Sequence, residues 1–69
     1  MNATQELAQV AYAQKSIAES MSRGFTANQA AQMHLDSLRF ISAIKKMETA
    51  VRIVDMAARL NGLKLNWKG

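Results

Sequence analysis

Between residues 33 and 60 the apolar positions recur in alternating steps of four and three. They are Met33, Phe40, Ile44, Met47, Val51, Val54 and Ala58, with Ser37 the one polar member. That spacing holds a stripe on one face of an α-helix and makes the seam of a heptad repeat. Ile44, Val51 and Ala58 form one core column, and Met33, Phe40, Met47 and Val54 the other. A column of alanines, Ala43, Ala50 and Ala57, runs beside them, which suits a close neighbour. An earlier series, Ala3, Leu7, Val10, Ile17 and Met21, has the same period, with Gln14 in its vacant slot.

Helix boundaries follow from capping chemistry. Asn2 with Gln5, and Thr26 with Gln29, have the three-residue spacing of a capping box. Arg23-Gly24 reads as a cation in a last turn followed by a left-handed stop, and Gly62 after Asn61 as a second stop. The pattern predicts helix 1 over about residues 3–22, a turn at 23–26, helix 2 over about 27–61, and a tail at 62–69. In the tail Leu63, Leu65 and Trp67 alternate with polar residues, so an extended segment would place them on one side.

The expected fold class is all-α: a helical hairpin with a short first helix and a long second helix, oligomerising into a helical bundle or filament. Folding at Gly24-Phe25 aligns Met21 with Ala30, Ile17 with Met33, Val10 with Phe40 and Leu7 with Ile44. The two polar interruptions, Gln14 and Ser37, then face each other and can share hydrogen bonds. At 1.5 Å per residue helix 1 spans roughly 30 Å and helix 2 roughly 50 Å, so the chain cannot cover its own C-terminal half. Val51, Val54 and Ala58 continue the seam there, and Ile53, Met56 and Leu60 add a second apolar side. An uncovered apolar surface of that kind marks an interface. The expected interface residues are Phe40, Ile44, Met47, Val51, Ile53, Val54, Met56, Ala57, Ala58 and Leu60. The competing arrangement breaks the long helix near Lys45-Lys46 and returns it as a three-helix bundle, although no Gly or Pro stands there to help.

Length sharpens the case for a partner. A chain of 69 residues has a thin core and usually needs a disulfide, a metal or a second chain as a staple. Cysteine is absent, which excludes disulfides and thiolate metal sites and suits a reducing compartment. Oligomerisation remains, with a second copy or a helical protein as the expected partner. No apolar run reaches the roughly 18 residues of a membrane span. The N-terminus lacks a signal peptide's basic region and apolar core. The compartments this leaves are the cytoplasm or one reached by a signal-peptide-independent route.

The net charge of +4 is unevenly placed. Residues 1–38 hold two cations against three carboxylates, and residues 39–69 hold seven against two. Lys45, Arg52 and Arg59 recur every seven residues, a stripe with roughly 10 Å between members. With Arg39 and Lys46 they form a candidate anion- or nucleic-acid-binding face. The plainer reading is a solvated face beside a seam. Enzymatic chemistry is not expected. His34 is the only histidine, the five carboxylates are scattered, and no phosphate loop, nucleophile elbow or zinc-protease motif occurs, so no cofactor or metal is implied.

The layout of a short helix, a tight turn and a longer helix resembles the needle and inner-rod subunits of type III secretion systems. The segment from Met47 to Ala58, with Val51-Arg52 ahead of Asp55, looks like the final helix of needle subunits. The resemblance implies a structural subunit of a helical tube whose long helix lines the interior. Gly24-Phe25-Thr26 stands where those subunits carry a proline-containing turn, and Leu63 to Gly69 extends past their usual end. The hairpin is also similar to small plasmid RNA-binding dimers, a likeness of architecture alone. The expected function is therefore non-enzymatic protein–protein association, and the alternative is a small basic dimer that binds nucleic acid as a regulator.

Overall fold

The computed structural model describes residues 1–67, and the expectations for Lys68 and Gly69 lie outside it. The chain folds into three helices: α1 (Ala3–Ser22), α2 (Ala27–Leu38) and α3 (Met47–Leu60). No strand forms among the described residues.

Both expected capping boxes are present. Asn2 and Gln5 exchange hydrogen bonds at 2.8 and 3.1 Å, and Thr26 and Gln29 at 3.1 and 2.9 Å. Both glycine stops are Schellman motifs. Phe25 N–H donates to the Ser20 carbonyl and Gly24 N–H to that of Met21; Leu63 N–H donates to Ala58 and Gly62 N–H to Arg59. Gly24 and Gly62 sit at φ 102° and 73°, where a side chain is disfavoured.

The long second helix is not formed. It stops at Leu38, turns through residues 39–46, and resumes as α3 antiparallel to α2. The turn is bonded i to i−3: Arg39 N–H to Asp36, Phe40 to Ser37, Ile41 to Leu38, and Ile44 to Ile41. Turns of that kind return every third residue to one side, and Leu38 and Ile44 are buried with Ile41 half-buried. The physical reason for the break is burial. A straight helix would leave Ile53 and Val54 in water, whereas here both are fully buried. Burial of such a side chain is worth roughly 1.5–3 kcal/mol. The backbone hydrogen bonds interrupted at the break are worth roughly 0.5–1.5 kcal/mol net each, and the i to i−3 bonds replace part of them. Folding back therefore wins for a single chain, without help from Gly or Pro.

Two cross-links give the topology. Arg52 Nε donates to Glu6 Oε1 at 2.6 Å, Gln14 Nε2 to Asn61 Oδ1 at 3.2 Å, and Asn61 Nδ2 to the Gln14 carbonyl at 3.0 Å. These place α1 and α3 parallel, with α2 antiparallel to both. The expected Gln14–Ser37 pairing is overturned by this geometry: Asn61 takes Gln14, and Ser37 Oγ donates to the His34 carbonyl. The core combines Val10, Ala13 and Ile17 of α1, Ala30, Ala31, Leu35 and Leu38 of α2, and Ala50, Ile53, Val54 and Ala57 of α3. Leu63, Leu65 and Trp67 pack against it from the tail, where Asn66 N–H donates to Asn28 Oδ1 at 3.0 Å. The tail thus adds cover to the core beyond the end of α3 and is tied to the start of α2.

Candidate interaction surface

The expected interface residues separate into two groups. Ile44, Ile53, Val54, Ala57 and Ala58 are buried inside the chain's own bundle, and Val51 is half-buried against it. The seam that implies a partner is largely satisfied by α1 and α2. Phe40, Met47, Met56 and Leu60 remain exposed, at 90%, 47%, 37% and 64%. On α2 the buried stripe runs through Ala31, His34, Leu35 and Leu38, so Met33 lies off it and is exposed.

Met56 meets an apolar neighbour that periodicity places in the core. Leu7 of α1 is 62% exposed, and with Ala3, Glu6, Arg52 and Met56 it lines an open groove of about 350 Å³ between the parallel helices α1 and α3. Leu60 lies one helical turn beyond Met56 on the same face of α3. The Glu6–Arg52 ion pair closes one side of this groove. That hydrogen bond also raises the pKa of Arg52, so its charge is held and already partnered. Periodicity counts Leu7 as seam, and no feature of its local sequence tells the two roles apart. A second apolar surface lies on α2, where Phe25 and Met33 flank Gln29.

The basic residues are rearranged as well. Lys45 precedes α3, so the expected stripe of Lys45, Arg52 and Arg59 along one helix does not form. Instead Arg39, Lys45 and Lys46 gather at the α2–α3 turn, and Lys45, Lys46 and Arg52 line a depression of about 320 Å³ with Met1, Ala43, Thr49 and the carboxylate-bearing Glu6, which is bonded to Arg52. Arg59 stands apart, paired with Asp55 at 3.1 Å, and Arg39 lies 3.8 Å from Asp36. Among the described residues Lys45 and Lys46 have no carboxylate partner. Phe40 projects from the same turn.

His34 is 4% exposed, and its ring lies 5.7 Å from that of Tyr12. Its Nε2 is buried without a hydrogen-bond partner. Burial lowers its pKa, which keeps the imidazole neutral inside the bundle. It serves α1–α2 packing. Among the described residues no helix is long and apolar enough to cross a membrane.

No protein-family model, curated protein or solved structure matches the chain.

Proposed function

We propose that this protein works by association, as a non-enzymatic helical module that docks a helix of a second copy or of another protein into the α1–α3 groove. The observation that carries this reading is the pairing of Leu7 and Met56, exposed apolar side chains from two different helices, in one groove. Desolvating such a groove supplies the non-directional driving force for helix docking, and the Glu6–Arg52 pair at its edge supplies orientation. As a needle- or rod-type subunit, the chain would repeat the same contact from copy to copy. The test is mass by light scattering across concentration. The wild type should exceed the 7.6 kDa of one chain, and Leu7→Asp with Met56→Asp should return it to that mass with helicity intact. A double variant that assembles like the wild type removes the groove from the reading.

The gathering of Arg39, Lys45 and Lys46 around exposed Phe40 favours a second reading, a nucleic-acid-binding end of the bundle. Cations would follow phosphates and the ring would stack on a base. Adding nucleic acid to the same scattering series at low salt tests it. Binding should weaken steeply with salt. Lys45→Gln with Lys46→Gln should reduce the salt slope by about one for each phosphate that is no longer neutralised.

A further inference from the structure

We infer that the helix docked in the α1–α3 groove is α2 of a second copy, seated by its outward face, so that copies join head to tail. The inference rests on the groove reading and names its occupant. α2 turns Ala30, Ala31, His34, Leu35 and Leu38 to the core. At 3.6 residues per turn, Gln29, Gln32, Met33 and Asp36 fall on the opposite side. Arg39 keeps helical dihedrals (φ −60°, ψ −22°), so Phe40 adds a further turn to that side. Phe25 stands at its other end, and with Met33 it flanks a shallow hollow of about 330 Å³. Phe25, Met33 and Phe40 are 40%, 45% and 90% exposed.

Nine large apolar side chains are exposed among the described residues. Three stand on this face, and Leu7, Met56 and Leu60 stand along the groove. In a bundle of three helices the cleft between two lies across the core from the third. One copy therefore carries the face and the groove on opposite sides and cannot bring them together by itself. Two grooves set face to face would leave the space of a helix unfilled between them, and two α2 faces would leave both grooves open. Face in groove satisfies both surfaces, and six of the nine exposed side chains leave water at one kind of contact.

Charge agrees with this seating. With His34 neutral, Asp36 is the only charged side chain on α2, and it lies between Met33 and Phe40. It is 56% exposed, accepts from Gln32 at 3.1 Å and lies 3.8 Å from Arg39. Arg52, which lines the groove, is 50% exposed and gives Nε to Glu6. Its terminal nitrogens remain for a second carboxylate. With Asp36 at Arg52, Met33 and Phe40 lie three and four residues to either side. Met56 lies four residues from Arg52, so one or the other reaches Leu7 and Met56 whichever way α2 points. The same contact passed from copy to copy closes a ring or grows a filament.

Mixing two variants tests this. Leu7→Asp with Met56→Asp spoils the groove and keeps the face. Met33→Glu with Phe40→Glu spoils the face and keeps the groove, and both positions are exposed, so the fold is kept. Each variant alone should scatter at the 7.6 kDa of one chain, with the helicity of the wild type by circular dichroism. An equal mixture should give a species of twice that mass and grow no further, because the pair has one good contact and two spoiled ends. Adding Asp36→Lys to the groove variant should raise the dissociation constant of the pair by roughly tenfold or more, since a cation then faces Arg52. A face variant that assembles like the wild type, while the groove variant does not, leaves the groove reading standing and overturns this inference, because the groove then holds something else. A mixture that stays at the mass of one chain overturns it too, as does a pair indifferent to Asp36→Lys. A groove variant that assembles like the wild type removes the groove reading and this inference with it.

Discussion

His34 sits in the α1–α2 contact with its Nε2 unpartnered, which costs roughly 1–3 kcal/mol relative to a satisfied group. Because burial depresses its pKa, the unfolded chain binds the proton more readily than the folded one. Stability is therefore fully present above the unfolded value of about 6.5 and is lost as pH falls below it, by at most about 1.4 kcal/mol per unit for one proton. Urea denaturation of the wild type should show this decline between pH 7 and 5. His34→Leu should flatten it and be at least as stable as the wild type at pH 8. A parallel decline in both chains would mean that other groups carry the pH dependence.

At the scale of elements, what separates the marked boundaries from the unmarked one is whether they need a special conformation. Gly62 adopts φ 73°, and a Cβ placed there would meet nothing within 4 Å. The cost of a side chain is therefore purely conformational. Gly62→Ala should lose roughly 1–2 kcal/mol, read as a fall in Tm of roughly 4–8 °C per kcal/mol for a domain of this size. Gly62→Asn should lose less, because Asn tolerates the left-handed region. Equal losses for both would show that the Schellman geometry contributes little. The α2–α3 turn has no such residue, and for that reason the boundary at Leu38 is invisible in the sequence.

For the whole molecule, stability rests on the cover that α3 receives from α1 and α2. A 69-residue chain has roughly 3–10 kcal/mol of stability at the usual value per residue. Ile53→Ala should remove roughly 2–5 kcal/mol by opening a cavity where exposure is zero. Phe40→Ala should stay within about 0.5 kcal/mol in the monomer, since the ring lies in solvent. Chemical denaturation at low protein concentration compares the two directly. A large loss at Phe40 would place it in a packed contact and contradict the fold.

The all-α class, the extent of α1, the turn at 23–26, the start of α2 and the glycine stop after Asn61 can all be read along the chain. Each depends on local chemistry: apolar period, capping boxes, and glycines that need positive φ. The alternation of the tail is legible for the same reason, and Leu63, Leu65 and Trp67 do turn to one side. The break at residues 39–46 enters the sequence reading only as the competing three-helix arrangement, broken near Lys45-Lys46, and it is this arrangement that forms. No residue there forbids a helix, and the decision belongs to competition between straight backbone bonding and burial of Ile53 and Val54 against α1. The candidate surface is hidden with it. Period alone assigns Leu7 and Phe40 to the seam, but which apolar stripe faces inward depends on where α3 lies once the chain has returned. The basic residues follow the same rule, because the loop that lifts Lys45 off the helix also gathers it with Arg39, Lys46 and Arg52. Local marks set where helices begin and end. The order in which three helices can share one core settles which side chains are left for a partner.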